Sequence, residues 1–179
     1  MAATAEEKDY VHVLYRKICD KLAQTQKQAP KLFLPPGNIV EERTFSSWHP
    51  EMIPNADIII IQLGDNYRGP VTEEKLQKSY EAMLKDFKAA RNNAILLCTS
   101  NWEGSPIANQ IKAAAGNQGV PFVDLRPLSA DPSNKAKSEN NFTNGGVNWH
   151  PGDRGMNAIA EAIWAKLEPL LDQREQGGK

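Results

Sequence analysis

Apolar residues first recur at helical spacing near the start of the chain. Val11, Leu14, Ile18 and Leu22 stand three or four residues apart, with Lys, Arg, Asp and Gln between them. This predicts an amphipathic helix from about Ala5 to Gln28. "KLFLP" (Lys31 to Pro35) is short and closed by two prolines, which makes it a candidate strand, and "NIVEERTF" (Asn38 to Phe45) divides between strand and loop. "ADIIIIQLG" leaves no polar face across Ile58 to Ile61, the pattern of a central parallel strand buried on both sides. Thr72 then reads as an N-cap with Glu73 and Glu74 in the first turn. The helix it opens runs to about Arg91, with Leu76, Tyr80, Met83, Leu84 and Phe87 on its apolar face. "NAILLCTS" is a second buried strand. Ser105 and Pro106 begin a helix that ends near Gly116, and "VPFVDL" is a further strand. The polar stretch from Ser129 to Gly146 predicts a long loop. Met156, Ile159, Ile163, Leu167 and Leu170 mark a last helix from Asp153 to Leu171.

Strands alternating with helices predict an open α/β sheet with parallel strands. In such sheets the loops past the carboxyl ends of the strands share one edge and form the ligand site. "GDNYRG", "TSNWEG" and "NWHPGDRG" are the segments expected to supply them.

Composition narrows the functional classes. The 179 residues suit one domain, residues 1–179, with a formal net charge of −1, which argues against a nucleic-acid surface. No apolar run reaches the roughly 18–20 residues of a membrane span. "MAATAEEKDY" lacks the basic and apolar regions of a signal peptide, so the expected compartment of the chain as written is the cytoplasm. Cys19 and Cys98 lie far apart without CxxC spacing and are expected to be unpaired thiols. The three histidines and two cysteines are too scattered for structural zinc. Asp65, Asp153 and His150 match no standard ligand spacing, so neither a metal nor a cofactor is expected.

Two short segments carry candidate chemistry. In "LGDNYRG", Gly64 permits a tight turn after a buried strand. Asn66 can then donate an amide hydrogen bond to a developing oxyanion, an interaction worth about 2.7–4 kcal/mol in acyl transfer. The same residues also suit an ordinary turn. In "VNWHPGDRGM", His150 is placed as a general base before the last helix, or as a histidine that packs at the helix start. Trp-His-Pro also occurs around His49, so the tripeptide alone does not mark a site. Tyr67, Trp102 and Trp149 can form a sugar-stacking or acyl-binding wall, with Asp65 beside them, or simply cover the core edge. Ser100 follows a buried strand and is a candidate nucleophile. Ser105 reads as a helix cap, and Ser46 and Ser47 lie in an irregular segment.

A buried strand ending in Gly64-x-Asn66, with His150-Pro151 opening the last helix, resembles the SGNH (GDSL-type) hydrolases. "MAATAEEKDYVHVLY", "NIVEER" and "ADIIIIQLGDN" are similar to a bacterial carbohydrate-esterase branch, so the resemblance runs from Met1 to about Leu171. It implies a three-layer, flavodoxin-like α/β fold with a parallel sheet. It also implies that Gly64 and Asn66 serve the oxyanion and His150 the proton, on a small ester or acylated sugar.

The chain departs from that family twice. It has no Gly-Asp-Ser or Gly-Asn-Ser turn to bear the nucleophile, and it reads as a member that starts after that block, with the first strand missing. Val147 stands where the usual acid precedes the histidine. A backbone carbonyl can orient the imidazole instead, but a base without a nucleophile performs no covalent acyl transfer. A sheet without its middle strand exposes unpaired edges. The expected remedy is a changed strand order, or a homodimer covering the gap. A well-folded monomer with a filled central strand in sedimentation and structural work would count against the dimer. The alternatives to an esterase are a family remnant or carbohydrate-binding module lacking the nucleophile. A flavodoxin-like nucleotide binder is less supported, because no Gly-rich phosphate loop follows an early strand.

Overall fold

In chain order the elements are α1 (Tyr10–Ala23), β1 (Ile58–Ile61), α2 (Glu73–Ala90), β2 (Ile95–Thr99), α3 (Ala108–Asn117), β3 (Phe122–Val123), α4 (Arg126–Ala130), α5 (Ala136–Glu139) and α6 (Asp153–Gly177). They come from a computed structural model that describes residues 3–24, 28, 30–34, 55–65, 72–102, 107–140 and 142–177. The backbone gathers into two compact units, Leu34–Asp124 and Met1–Phe33 with Leu125–Lys179.

The first of these contains the predicted parallel sheet, in the order β1-β2-β3. Ile58 to Ile61 align with Ile95 to Cys98, and Cys98 and Thr99 align with Phe122 and Val123, all parallel. One face carries Ile59, Ile61, Leu96, Cys98 and Phe122, which pack with Leu76, Tyr80, Met83, Leu84 and Phe87 of α2 and Ile111, Ala114 and Ala115 of α3. The predicted apolar face of α2 is therefore its buried face. Each such aliphatic or aromatic side chain contributes about 1.5–3 kcal/mol on burial. Thr72 caps α2 as expected, its hydroxyl accepting from the Lys75 amide.

The isoleucine strand departs from expectation in its place. Among the described residues β1 pairs only with β2, and Ile58 to Ile60 are half-buried. The middle strand is β2, where Leu97 and Cys98 are fully enclosed. Hydrophobicity marks a strand that can be buried, whereas its neighbours decide whether it is.

In the helical unit, α1 and α6 run side by side in the same direction. Lys17 pairs with Glu161 at 2.7 Å and Lys21 with Asp172 at 2.6 Å, so position advances together along both helices. Leu14 and Ile18 of α1 are buried, as are Met156, Ile159, Ile163, Leu167 and Leu171 of α6. α1 is shorter than predicted because Asp9 caps it, accepting from the His12 amide, and it ends at Ala23. α6 is longer and continues through Pro169, whose exposed position leaves the unbonded carbonyl one turn back to water.

Two expectations are corrected. Lys31 to Leu34 form no strand; Leu32, Phe33 and Leu34 are exposed, so a short apolar run has no sheet to join. The Ser129–Gly146 loop is partly helical, comprising the end of α4, a 3-10 turn at Pro132–Asn134, and α5. Its polar side chains serve as local caps. Asp131 accepts from the Ser133 amide, and the Asn134 amide group donates to the Leu128 carbonyl. Asn38 to Phe45 and the Ser105–Pro106 cap lie outside the described residues.

Candidate functional site

Past the carboxyl end of β1 the chain turns at Gly64, which has φ +114°, a conformation costly for any residue with a Cβ. A Cβ there would also lie 2.6 Å from Ile107 Cδ1, so the end of that side chain would have to shift. Asp65 follows, and its carboxylate ties two loops together. Oδ1 accepts from the Trp102 amide at 2.7 Å, past β2, and Oδ2 accepts from Gln62 Nε2 at 3.1 Å. The turn-forming reading of Asp65 therefore has a definite physical content: the side chain holds the exit of β1 against the exit of β2.

The β2 exit is enclosed. Thr99, Ser100 and Asn101 are fully buried and Trp102 is 3% exposed. The Thr99 hydroxyl donates to the Ser100 carbonyl, and the Ser100 hydroxyl donates to the Asn101 carbonyl at 3.2 Å. The Ser100 hydroxyl is thus buried and bonded within its own loop. Trp102 lines the interior, as in the core-covering reading. Asn101 differs from its neighbours. Among the described residues neither Oδ1 nor Nδ2 has a hydrogen-bond partner, although both are buried. A buried amide left so costs about 1–3 kcal/mol. Sequence reasoning did not single it out, since an Asn after a strand is a common turn residue.

The other candidate segment is anchored from several sides. The His150 carbonyl accepts from the Ala136 amide at 2.9 Å, and the His150 amide donates to the Val147 carbonyl. Pro151 bridges to Lys135, and the Gly152 amide donates to the Asn134 carbonyl. Glu139 then caps α6, its two carboxylate oxygens accepting from the Asp153 and Arg154 amides at 2.9 and 2.8 Å. Gly152 leaves the room that carboxylate needs, and at Gly155 a Cβ would strike the Asn134 carbonyl.

Asp153 accepts from the Thr4 amide, the Thr4 hydroxyl and the Lys8 ammonium. Burial acts to raise its pKa, but those three donors outweigh it and hold the carboxyl below its ordinary value. The "HPGDRG" spacing is thereby explained: two glycines grant close approach, and the acid clamps the N-terminal segment.

The imidazole of His150 takes no part in this anchoring. It is exposed and stacks on the indole of Trp149, ring centres 4.0 Å apart and planes 28° apart, with Trp149 itself 39% exposed. No backbone carbonyl orients either ring nitrogen among the described residues; the orientation comes from the stack. Glu139 was not legible as a partner of this turn, since it lies 14 residues before the amide it caps.

The structure thus brings Gly64, Asp65, Ser100 and Trp102 together in one unit and Trp149 with His150 in the other. Asn66 and Tyr67 lie outside the described residues, as do Ser46, Ser47 and His49. Cys19 and Cys98 are unpaired, and burial pushes the Cys98 thiol up to about 12. Among the described residues no three His, Cys, Asp or Glu side chains are grouped to hold a metal, and no helix is long and apolar enough to cross a membrane.

These features define an α/β protein with a short parallel sheet and polar loops at its strand exits. No family model matches the chain, and no curated protein matches its sequence. Among solved structures it is similar to one from Bacteroides uniformis described as a GDSL-like lipase, with 18% identity and a TM-score of 0.49 over 67% of this chain. The match spans 56% of that protein's length.

Proposed function

We propose that the chain is an ester hydrolase of the SGNH (GDSL) type that removes small acyl groups, with acetylated sugars as the substrate class. His150 acts as the general base. It draws the proton from the attacking oxygen and returns it to the leaving alcohol. The roles proposed for Gly64 and Asn66 come from the Gly-x-Asn pattern after β1, in which an amide donor stabilises the charge that develops on the carbonyl oxygen. Trp149 offers an apolar face beside the base for a sugar or acyl group.

The observation that carries this reading is the presentation of His150. Its backbone is held by hydrogen bonds on both sides, while its ring is exposed and stacked on Trp149. A fixed turn limits the reach of the imidazole to a small region, which lowers the positional entropy a general base must lose. His150→Ala is expected to reduce hydrolysis of p-nitrophenyl acetate by about 10²–10⁴-fold. Its melting temperature should stay close to that of the parent chain, because among the described residues the exposed ring has no hydrogen bond and only its stack on Trp149. Equal hydrolysis by the variant and the parent would refute the assignment.

A second reading is favoured by Ser100, whose hydroxyl is buried and bonded to a carbonyl. In it the chain binds acylated carbohydrate without cleaving it. A fluorophosphonate probe separates the two: labelling of one serine supports the hydrolase, whereas no labelling together with no turnover supports the binding module.

A further inference from the structure

Asn101 is the strongest anomaly in the unit that contains the sheet. Its side chain is fully enclosed, and among the described residues both polar atoms of its amide lack a partner. The groups around it are engaged: the Ser100 hydroxyl on a carbonyl, and both Asp65 oxygens on donors from Gln62 and Trp102. A polar side chain left unbonded within a bonded framework calls for a functional explanation.

Its position supplies one. Asn101 lies two residues past the end of β2, and its Cβ is 3.6 Å from where a side chain on Gly64 would begin. It therefore stands beside the carboxyl ends of two neighbouring parallel strands, on the sheet edge that carries ligand sites in open α/β folds. Gly64 contributes no side chain there, and the apolar ends of Ile107 and Ile111 wall the space beside Gly64 where the Asn101 side chain begins.

We infer that Asn101 is a ligand-binding residue whose planar amide takes two adjacent hydroxyl groups of a polyol, one donating to Oδ1 and the other accepting from Nδ2. The chemistry of the site selects that class. An amide is uncharged and offers one acceptor and one donor side by side. The apolar walls disfavour a charged ligand, because burying its charge unpaired is costly. They suit instead the C–H face of a sugar ring. Ile107, whose Cδ1 fills the space a Gly64 side chain would take, has to turn aside for the ligand to enter. The inference rests on the ester-hydrolase reading for its substrate and names the alcohol side of that substrate as a sugar with adjacent hydroxyls.

Asn101→Leu tests it, because leucine keeps the volume and removes the polar atoms. A residue retained for binding at a cost to the fold gives a more stable chain when it is made apolar, with the melting temperature rising by about 2–4 °C. The same variant should lose about tenfold in its preference for glucose 6-acetate over p-nitrophenyl acetate, read as a rise in KM more than a fall in kcat. Independently of turnover, glucose should shift the side-chain amide signals of Asn101 in ¹H–¹⁵N spectra of the parent chain. A lower melting temperature in the variant, or an Asn101 amide unmoved by glucose, overturns the inference. A parent chain that cleaves neither ester defeats the hydrolase reading alone, and the spectra still decide the role of Asn101.

Discussion

The turn that carries His150 and the loops that leave β1 and β2 solve the same problem in different ways. Both use a carboxylate to hold backbone amides: Glu139 takes those of Asp153 and Arg154, and Asp65 takes that of Trp102. Both use a glycine to let chains approach. They differ in the polar side chain that the framework leaves over. In the first region it is an imidazole in solvent, stacked on Trp149. In the second it is an amide sealed from solvent. An exposed ring costs the fold almost nothing, so stability says little about why it is there. A sealed, unbonded amide lowers stability, and that cost is itself a sign of use.

Glycine variants should sharpen this contrast most. Gly64→Ala combines a left-handed backbone with a Cβ pressed on Ile107 in a packed interior. It is expected to destabilise the chain by about 2–6 kcal/mol, measured by urea unfolding. Gly152→Ala meets only the carboxylate end of Glu139, which can swing away at the expense of its cap on α6. Its expected loss is about 0.5–2 kcal/mol, the worth of a helix cap. If the two variants proved equally destabilised, the contrast between a packed and an open framework would fail.

The smallest expected effect is a pH dependence. The three donors on Asp153 depress its pKa in the folded chain, so the folded state binds a proton there less readily than the unfolded chain does. The stabilisation is present above the ordinary carboxylate range, near 4, and is lost as pH falls from there through the folded value. Asp153→Asn should flatten the fall in melting temperature below that pH, relative to the parent chain. An unchanged acid limb would show that the clamp to Thr4 and Lys8 does not contribute.

Much of the fold was legible because its signals are local. The apolar stripe of α2, the Thr72 cap and the three parallel strands follow from period, cap chemistry and β-branched runs. The helical turns between Ser129 and Gly146 were missed because Asp131, Ser133 and Asn134 have the composition of a loop, whether they cap a turn or lie in solvent. "KLFLP" was over-read, since a short apolar run becomes a strand only beside another strand.

Local pattern alone dictates a parallel α/β sheet, a glycine turn after β1 and a histidine before the last helix. Periodicity, backbone permissiveness and titration chemistry are properties of residues and their near neighbours. Long-range contacts set β2 between β1 and β3, bring Glu139 to cap the helix after His150, and enclose Asn101 with no partner among the described residues. Those facts depend on which distant segments meet. Burial and hydrogen-bond satisfaction are set there, by contacts that no local pattern encodes.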